Sequence, residues 1–182
     1  MVSRVEGRHL VQAALALHLL EYGLGRTSLR QLAGAAGISD RMLLYYYQDK
    51  AEALAAAMTA VAARLAEQLE AAVPAAGLLS PRELAAAAAR FTIGPAIRPY
   101  MRLWIEVVAA AAGGEAPFPQ LASQIADSFI AWTQARLDPA GLTDPSATAV
   151  AIVALIDGLA VIAVCADEAL VVRAAASLGD LV

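Results

Sequence analysis

Hydrophobic positions along this chain recur at spacings of three and four residues, and almost nowhere alternate with polar ones. The spacing predicts a first helix from about Val5 to Tyr22, with Leu10, Ala13, Ala14 and Leu17 as its inward stripe and the glycines of "YGLGRT" as its end. In "TSLRQLAGAAG", Ser28 followed by Gln31 forms a capping-box pattern, and Leu29, Leu32, Ala33 and Ala36 share one face of a short second helix. Gly37 stops it by permitting a left-handed turn, and Ser39 caps a third helix through Tyr46 or Tyr47. Asp49 with Glu52 opens a long fourth helix to about Val73, striped by Leu54, Met58, Val61, Leu65 and Leu69.

The segment "PAAGLL" is the clearest internal boundary. Beyond it, "SPRE" puts a Ser cap, Pro81 at the first helical position and Glu83 at the third. "GPAIRPY" interrupts the following stretch, and further helices are expected at about 100–112, 118–137 and 146–166, with a short terminal one. No run alternates Val, Ile or Thr with polar residues between turn signals, so no strand is expected. The fold class is all-α.

Composition sharpens this reading. Of 182 residues, 60% are hydrophobic and only 16% charged, and alanine, the best helix former, supplies much of the apolar count. The single cysteine, Cys165, excludes an intramolecular disulfide, suits a reducing, cytoplasmic setting and is expected as a small buried hydrophobe. The first fifteen residues carry charges and lack a clean apolar core, so no secretory signal is expected. The span 147–166 is long and apolar enough to cross a membrane, but Asp157 and Gly158 stand at its centre, where a charge is costly. A buried helix or an oligomer interface is the expectation there, not a membrane span.

The net charge of −4 argues against a general nucleic-acid coat protein, but it is unevenly spread. Residues 1–50 carry six basic groups against four acids, giving +2, and residues 51–182 carry seven against thirteen, giving −6. A basic head on an acidic body permits nucleic-acid contact by the head alone. Within the head, two short helices joined by a Gly-containing turn have helix-turn-helix spacing. Leu43 and Tyr47 then face inward with Leu32, while Asp40, Arg41, Leu44 and Tyr45 face outward, where a recognition helix reads base edges. Successive residues on a helix differ by about 100°. The run Tyr45, Tyr46, Tyr47 therefore points toward a groove, sideways toward a phosphate, and into the core.

The stretch "TSLRQLAGAAGISDRMLLYYYQDKAEAL" resembles the DNA-binding region of the TetR/AcrR family of transcriptional regulators, over about residues 5–60. The resemblance implies phosphate contacts at Ser28 and Lys50, with Tyr46 and Tyr47 where the family usually has histidine and phenylalanine. It implies base-reading candidates Arg30, Asp40, Arg41, Met42 and Tyr45, with Ser39 at the start of the recognition helix. Leu44 departs from a frequent tyrosine, leaving it to contact a thymine methyl or to remove a phosphate bond, and Ala51 replaces a frequent glutamate. The rest of the chain is similar to the family only in architecture. The family implies a domain 1–48 that binds DNA and a domain 49–182 that binds an effector and dimerises, with helix 49–73 as connector.

Expected partners are thus a pseudo-palindromic double-stranded operator, a small apolar effector, and a second copy through helices 118–137 and 146–166. Phe91, Tyr100, Met101, Trp104 and Trp132 are candidates for the effector cavity, each also readable as plain core. Asp157 reads as a ligand anchor, a hydrogen-bonded buried carboxylate, or a seam contact. His9 and His18 lie nine residues apart without a Cys or carboxylate at ligand spacing, so neither metal nor cofactor is expected. No phosphate loop, paired carboxylates or nucleophile with its base point to an enzyme. The competing reading is a dimeric small-molecule carrier without DNA binding, against which stands the polar set Ser28, Arg30, Arg41, Tyr46 and Lys50 on one predicted side.

Overall fold

The computed structural model describes residues 4–25, 27–73 and 77–181. Among them the chain is all helical: α1 Arg4–Tyr22, α2 Leu29–Ala35, α3 Asp40–Tyr46, α4 Lys50–Ala72, α5 Pro81–Thr92, α6 Arg98–Ala112, α7 Phe118–Gln134, α8 Pro145–Cys165 and α9 Glu168–Ser177, closed by a 3-10 turn Leu178–Leu181. The expected boundary at 74–79 falls partly outside the described residues. Two compact units emerge, residues 1–65 with 103–122, and residues 66–102 with 123–182. This division by compactness is a different one from the functional division expected at 48/49.

In the first unit, α2 lies against α1 and α3. Helices of seven residues do not stand alone in water, so burial must hold them. Leu32, Ala33, Leu43 and Tyr47 supply it, each with at most 1% of its surface exposed. The turn between α2 and α3 is closed by Gly37 N–H to Gly34 O and Ile38 N–H to Ala33 O, both 3.0 Å, with Gly37 at φ +66°. At that angle a Cβ is strained, and the turn therefore needs glycine.

The inward face of α1 differs from the expected one. Leu10 and Leu17 are 66% and 54% exposed, while Val11, Leu15, Ala16 and Leu19 are buried. The helix is apolar nearly all round, so two adjacent stripes fit the same template, and only packing chooses between them. Along α4 all five expected stripe residues are buried.

In the second unit, α5 lies against α8, α9 and the final turn. Its start follows the sequence pattern: Glu83 N–H donates to Ser80 Oγ (3.3 Å), Ser80 N–H donates to Glu83 Oε2 (3.0 Å), and Pro81 follows the cap. The Ser80 hydroxyl, donating to Glu83 Oε2 at 2.7 Å, and then the Ser80 N–H hold the Glu83 carboxyl below its ordinary range. Leu69, Leu84, Ala85, Leu137, Ile152 and Leu159 anchor a core joined by the last helix. A short bridge, Leu79 N–H to Arg136 O and Asp138 N–H to Leu79 O (2.7 and 2.8 Å), pins the loop before α5 to the end of α7.

Helix α8 is not a buried helix. It is long and apolar enough to cross a membrane by length and composition, with mean hydropathy 2.5, yet only 22% of its most apolar window is buried. Its outer face carries Val150, Ala151, Ala154, Gly158, Val161 and Ile162 at three- and four-residue spacing. Cys165 is exposed on this helix, contrary to the expectation of a buried hydrophobe. The outer face of α7 is different: Gln124, Asp127, Ser128 and Gln134 are exposed, and its apolar residues Phe118, Leu121 and Ile125 are buried. Phe129, Ile130 and Trp132 of the same helix are half-buried, so within the chain α7 leaves less apolar surface uncovered than α8 does.

Candidate nucleic-acid interface

Helix α3 begins where Ser39 accepts the Met42 N–H at 3.2 Å, a cap that fixes which residues open the helix. With Leu43 turned inward, Asp40, Arg41, Met42, Leu44 and Tyr45 are all exposed. Met42, Leu44 and Tyr45 are 43%, 45% and 54% exposed, a large apolar commitment to solvent on a seven-residue helix. Arg30 and Ser28 are exposed on α2. Ser28 forms the expected box: Gln31 N–H donates to Ser28 Oγ (3.3 Å) and Ser28 N–H donates to Gln31 Oε1 (2.8 Å). Its hydroxyl can still donate its own proton to an external acceptor.

The three tyrosines separate as their angles require. Tyr45 is exposed, Tyr46 is half-buried and Tyr47 is buried. Tyr46 crosses to α1, where a Cβ added to Gly7 would lie 2.6 Å from its hydroxyl. Gly7 is thus the room that lets Tyr46 lie across the first helix. Tyr45 and Tyr46 meet edge to face with ring centroids 5.4 Å apart.

Behind this face, Arg8 lies over the Tyr47 ring at 4.9 Å and pairs with Glu52 at 2.8 Å. The other Glu52 oxygen accepts the Gln48 N–H at 2.6 Å, and Asp49 Oδ1 accepts the Glu52 N–H at 2.8 Å. The start of α4 is tied to α1 this way, and carboxylates already occupy backbone donors there. Lys50, exposed at the first position of α4, therefore offers a phosphate its ammonium more than the helix end. Burial raises the Tyr47 phenol above its ordinary range, and Arg8 draws it part of the way back.

One contact in the first unit left no motif in the sequence. Glu106 on α6 accepts the Leu24 N–H at 2.6 Å, and a Cβ on Gly23, at φ +78°, would fall 2.5 Å from a Glu106 oxygen. The turn after α1 is thus a cradle for one carboxylate. A lone Glu in an apolar helix and a Gly-x-Gly run were its only traces in the sequence.

The six effector candidates are spread over α5, α6, α7 and α8. Trp104 belongs to the first compact unit, and Phe91 and Trp132 pack against the core of the second. Tyr100 accepts a hydrogen bond from Gln68 Nε2 at 2.9 Å, and Asp157 is half-buried in α8. Met101 lines a cleft of about 360 Å³ formed by the end of α5, the first turns of α6, the end of α8 and the start of α9. Ile93, Val164 and Val171 give it apolar walls, and Arg98, Arg102 and Glu168 are its charged residues. Sequence reasoning missed the arginines. Their four-residue spacing on an apolar helix was the available signal.

Compared with solved structures, the chain matches a Rhodococcus protein described as a TetR-family transcriptional regulator over 98% of both chains, with a TM-score of 0.79 at 20% identity. It matches a TetR transcription regulator from Haloarcula marismortui at TM-score 0.71 and 19% identity, over 97% of this chain and 98% of that one. It also matches a Saccharomonospora viridis transcriptional regulator in complex with choline at TM-score 0.71 and 16% identity, over 98% and 96%. No family model and no curated protein matches the chain. The fold over nearly the whole chain is therefore that of the TetR-family transcriptional regulators.

Proposed function

We propose that this protein is a ligand-responsive, DNA-binding transcriptional regulator of the TetR type, acting as a dimeric cytoplasmic repressor. The observation that carries the reading is the outer face of α3. Arg41, Met42, Leu44 and Tyr45 are held out to solvent by a helix whose other side is fixed by Leu43 and Tyr47. An exposed guanidinium beside apolar and aromatic side chains is what reading of guanine edges and thymine methyls requires. Ser28, Tyr46 and Lys50 then act on the flanking phosphates, which set register without carrying sequence information.

Dimerisation follows from α8 in this reading. Its outer stripe is apolar and contains Ala151, Ala154 and Gly158, small enough for a second helix to approach closely. Two heads on one dimer would enter successive major grooves, about 34–36 Å apart. A small molecule held by residues beyond the head would shift α4 and change that spacing, releasing the operator. The complex of the Saccharomonospora neighbour with choline supports the small-molecule part of this reading.

The experiment is capture of genomic fragments by the purified full chain, followed by footprinting of the enriched site. A pseudo-palindrome with half-sites one helical turn or a multiple apart is expected. Binding without sequence enrichment, or no binding at all, would favour the dimeric small-molecule carrier instead.

A further inference from the structure

The end of α1 is closed in a way that leaves one backbone donor over. Gly23, at φ +78°, donates its N–H to Leu19 O at 2.9 Å, the left-handed cap that ends many helices. The next donor, Leu24 N–H, has no place in that cap. It is met by Glu106 Oε2 at 2.6 Å, from α6 and 82 residues further along the chain. Water can satisfy an N–H at a helix end, so closing α1 does not by itself require a carboxylate there. Glu106 is also a costly residue to place. It is half-buried on α6 beside Leu103 and Val107, both fully buried, and a charge in such a setting needs a bonded partner.

What the carboxylate gains is a hold on the turn that leads into α2. Thr27 N–H donates to Leu24 O at 3.2 Å, and Thr27 Oγ1 donates to Gly23 O at 2.7 Å, with Thr27 only 4% exposed. Glu106 meets Gly23 by close approach and Leu24 through its N–H. The two residues it holds are therefore the two to which Thr27 is bonded. Ser28 follows at once, exposed, as the cap of α2. A chain of hydrogen bonds thus runs from Glu106 through Leu24 to Thr27 and ends one residue before the Ser28 hydroxyl. All of these residues belong to the first compact unit.

We propose that Glu106 is a positioning residue for DNA binding: by fixing the Gly23–Leu24 turn on α6, it sets where the Ser28 hydroxyl meets a backbone phosphate. Glu106 itself touches no DNA in this arrangement. The proposal rests on the DNA-binding reading above and adds to it a residue that lies far beyond residues 1–48. Phosphate contacts carry no sequence information, so Glu106 governs register and affinity and leaves base choice to α3.

The test is ethylation interference with the full chain on the operator recovered by genomic capture. Relative to the wild type, Ser28→Ala should erase interference at a single phosphate per half-site. Glu106→Ala should erase the same one and leave the others. Glu106→Gln, whose amide oxygen still accepts the Leu24 N–H, should retain it. Glu106→Asp, one carbon shorter, should behave like Glu106→Ala and takes its place if the alanine variant folds poorly. Affinity for operator and random duplex should fall together, about fivefold for Ser28→Ala, as loss of one hydrogen bond gives. Adding Glu106→Ala to Ser28→Ala should lower it by less than about twofold further, because the two act on one contact. Uniformly weaker binding with every interfering phosphate retained is what a purely structural role gives, and it overturns the proposal. Full additivity of the Ser28 and Glu106 variants, or no phosphate lost in Ser28→Ala, overturns it equally. In each of these cases the DNA-binding reading stands, whereas failure of the wild type to bind any operator overturns both.

Discussion

The guanidinium of Arg136 lies over the ring of Trp132, 4.1 Å from carbon to centroid, and is 7% exposed. From that position Nε donates to Val73 O (3.3 Å), Nη1 donates to Trp132 O (3.4 Å), and Nη2 pairs with Glu70. Trp132 Nε1 donates to the same Glu70 oxygen at 3.2 Å. One arginine thus satisfies a carbonyl at the end of α4, where helices leave acceptors unpaired. Arg136→Ala should destabilise the protein by about 2–3 kcal/mol, because a buried carbonyl and a ring face lose their partner together. Arg136→Lys should recover only part of this, since one ammonium cannot serve three directions. Chemical denaturation followed by Trp132 fluorescence measures it, and an unchanged midpoint would remove the structural role.

Tyr47 should be better as phenylalanine. Its hydroxyl is buried and makes no well-formed hydrogen bond among the described residues. Arg8 lies over the ring and acts on the phenol too weakly to offset its burial, so Tyr47→Phe should stabilise the head by about 1 kcal/mol. The raised phenol sets a pH dependence as well. The folded state holds that proton more tightly than the unfolded chain does. Stability is therefore complete below the unfolded value and declines as pH rises beyond about 10. Melting curves from pH 8 to 11 should show the decline in the wild type and a smaller one in Tyr47→Phe. Parallel curves would mean the phenol escapes to solvent.

Gly23→Ala should be costly for two separable reasons. The backbone angle is left-handed, which costs about 1–2 kcal/mol for an L side chain, and the new methyl would meet the Glu106 carboxylate. Glu106→Gln keeps the shape and weakens a charge-assisted bond, so it should cost about 1 kcal/mol. In the double variant Gly23→Ala with Glu106→Ala, the clash disappears, leaving the backbone cost and the loss of the Leu24 N–H acceptor that Glu106→Ala alone also carries. A double-mutant cycle with no coupling would show that Glu106 yields freely.

Arg41 and Lys50 should differ in kind. Arg41→Ala should weaken operator binding by about 1–3 kcal/mol and leave random DNA nearly untouched, as a base-edge contact does. Lys50→Ala should weaken both and reduce the salt slope by about one unit. Asp40→Asn should change preference at a single base pair per half-site, because a carboxylate beside Arg41 orients it or accepts from cytosine. Salt titrations of operator and random duplexes distinguish these. Parallel losses for Arg41→Ala and Lys50→Ala would end the division of labour.

The outer stripe of α8 should hold the dimer. Sedimentation at micromolar concentration should give twice the 18.8 kDa chain mass. Ile162→Asp, at a position 51% exposed within the chain, should reduce this to the monomer without unfolding it. Ser128→Asp on the outer face of α7 should leave the dimer intact. A dimer insensitive to Ile162→Asp but broken by Ser128→Asp would move the seam to α7.

Much of the fold was legible because its signals are local. Caps at Ser28, Ser39 and Ser80, the turn glycine Gly37, and proline at the start of α5 depend on residues within one helical turn of each other, and each is found as expected. The inward placement of Leu43 and Tyr47 followed from the same short-range geometry, and with it the outward set on α3.

Tertiary structure alone decided what depends on a partner distant in sequence. On α1 it selected Val11 and Leu15 over Leu10 and Leu17, since a helix apolar on most sides carries more than one valid stripe. It set Arg136 over the ring of Trp132, and joined Glu106 to the turn at Leu24 across 82 residues of chain. It also left one face of α8 uncovered, although that helix has the composition of a buried one. Residue type states what a side chain can bury or bond. The neighbours brought by the folded chain determine whether it does.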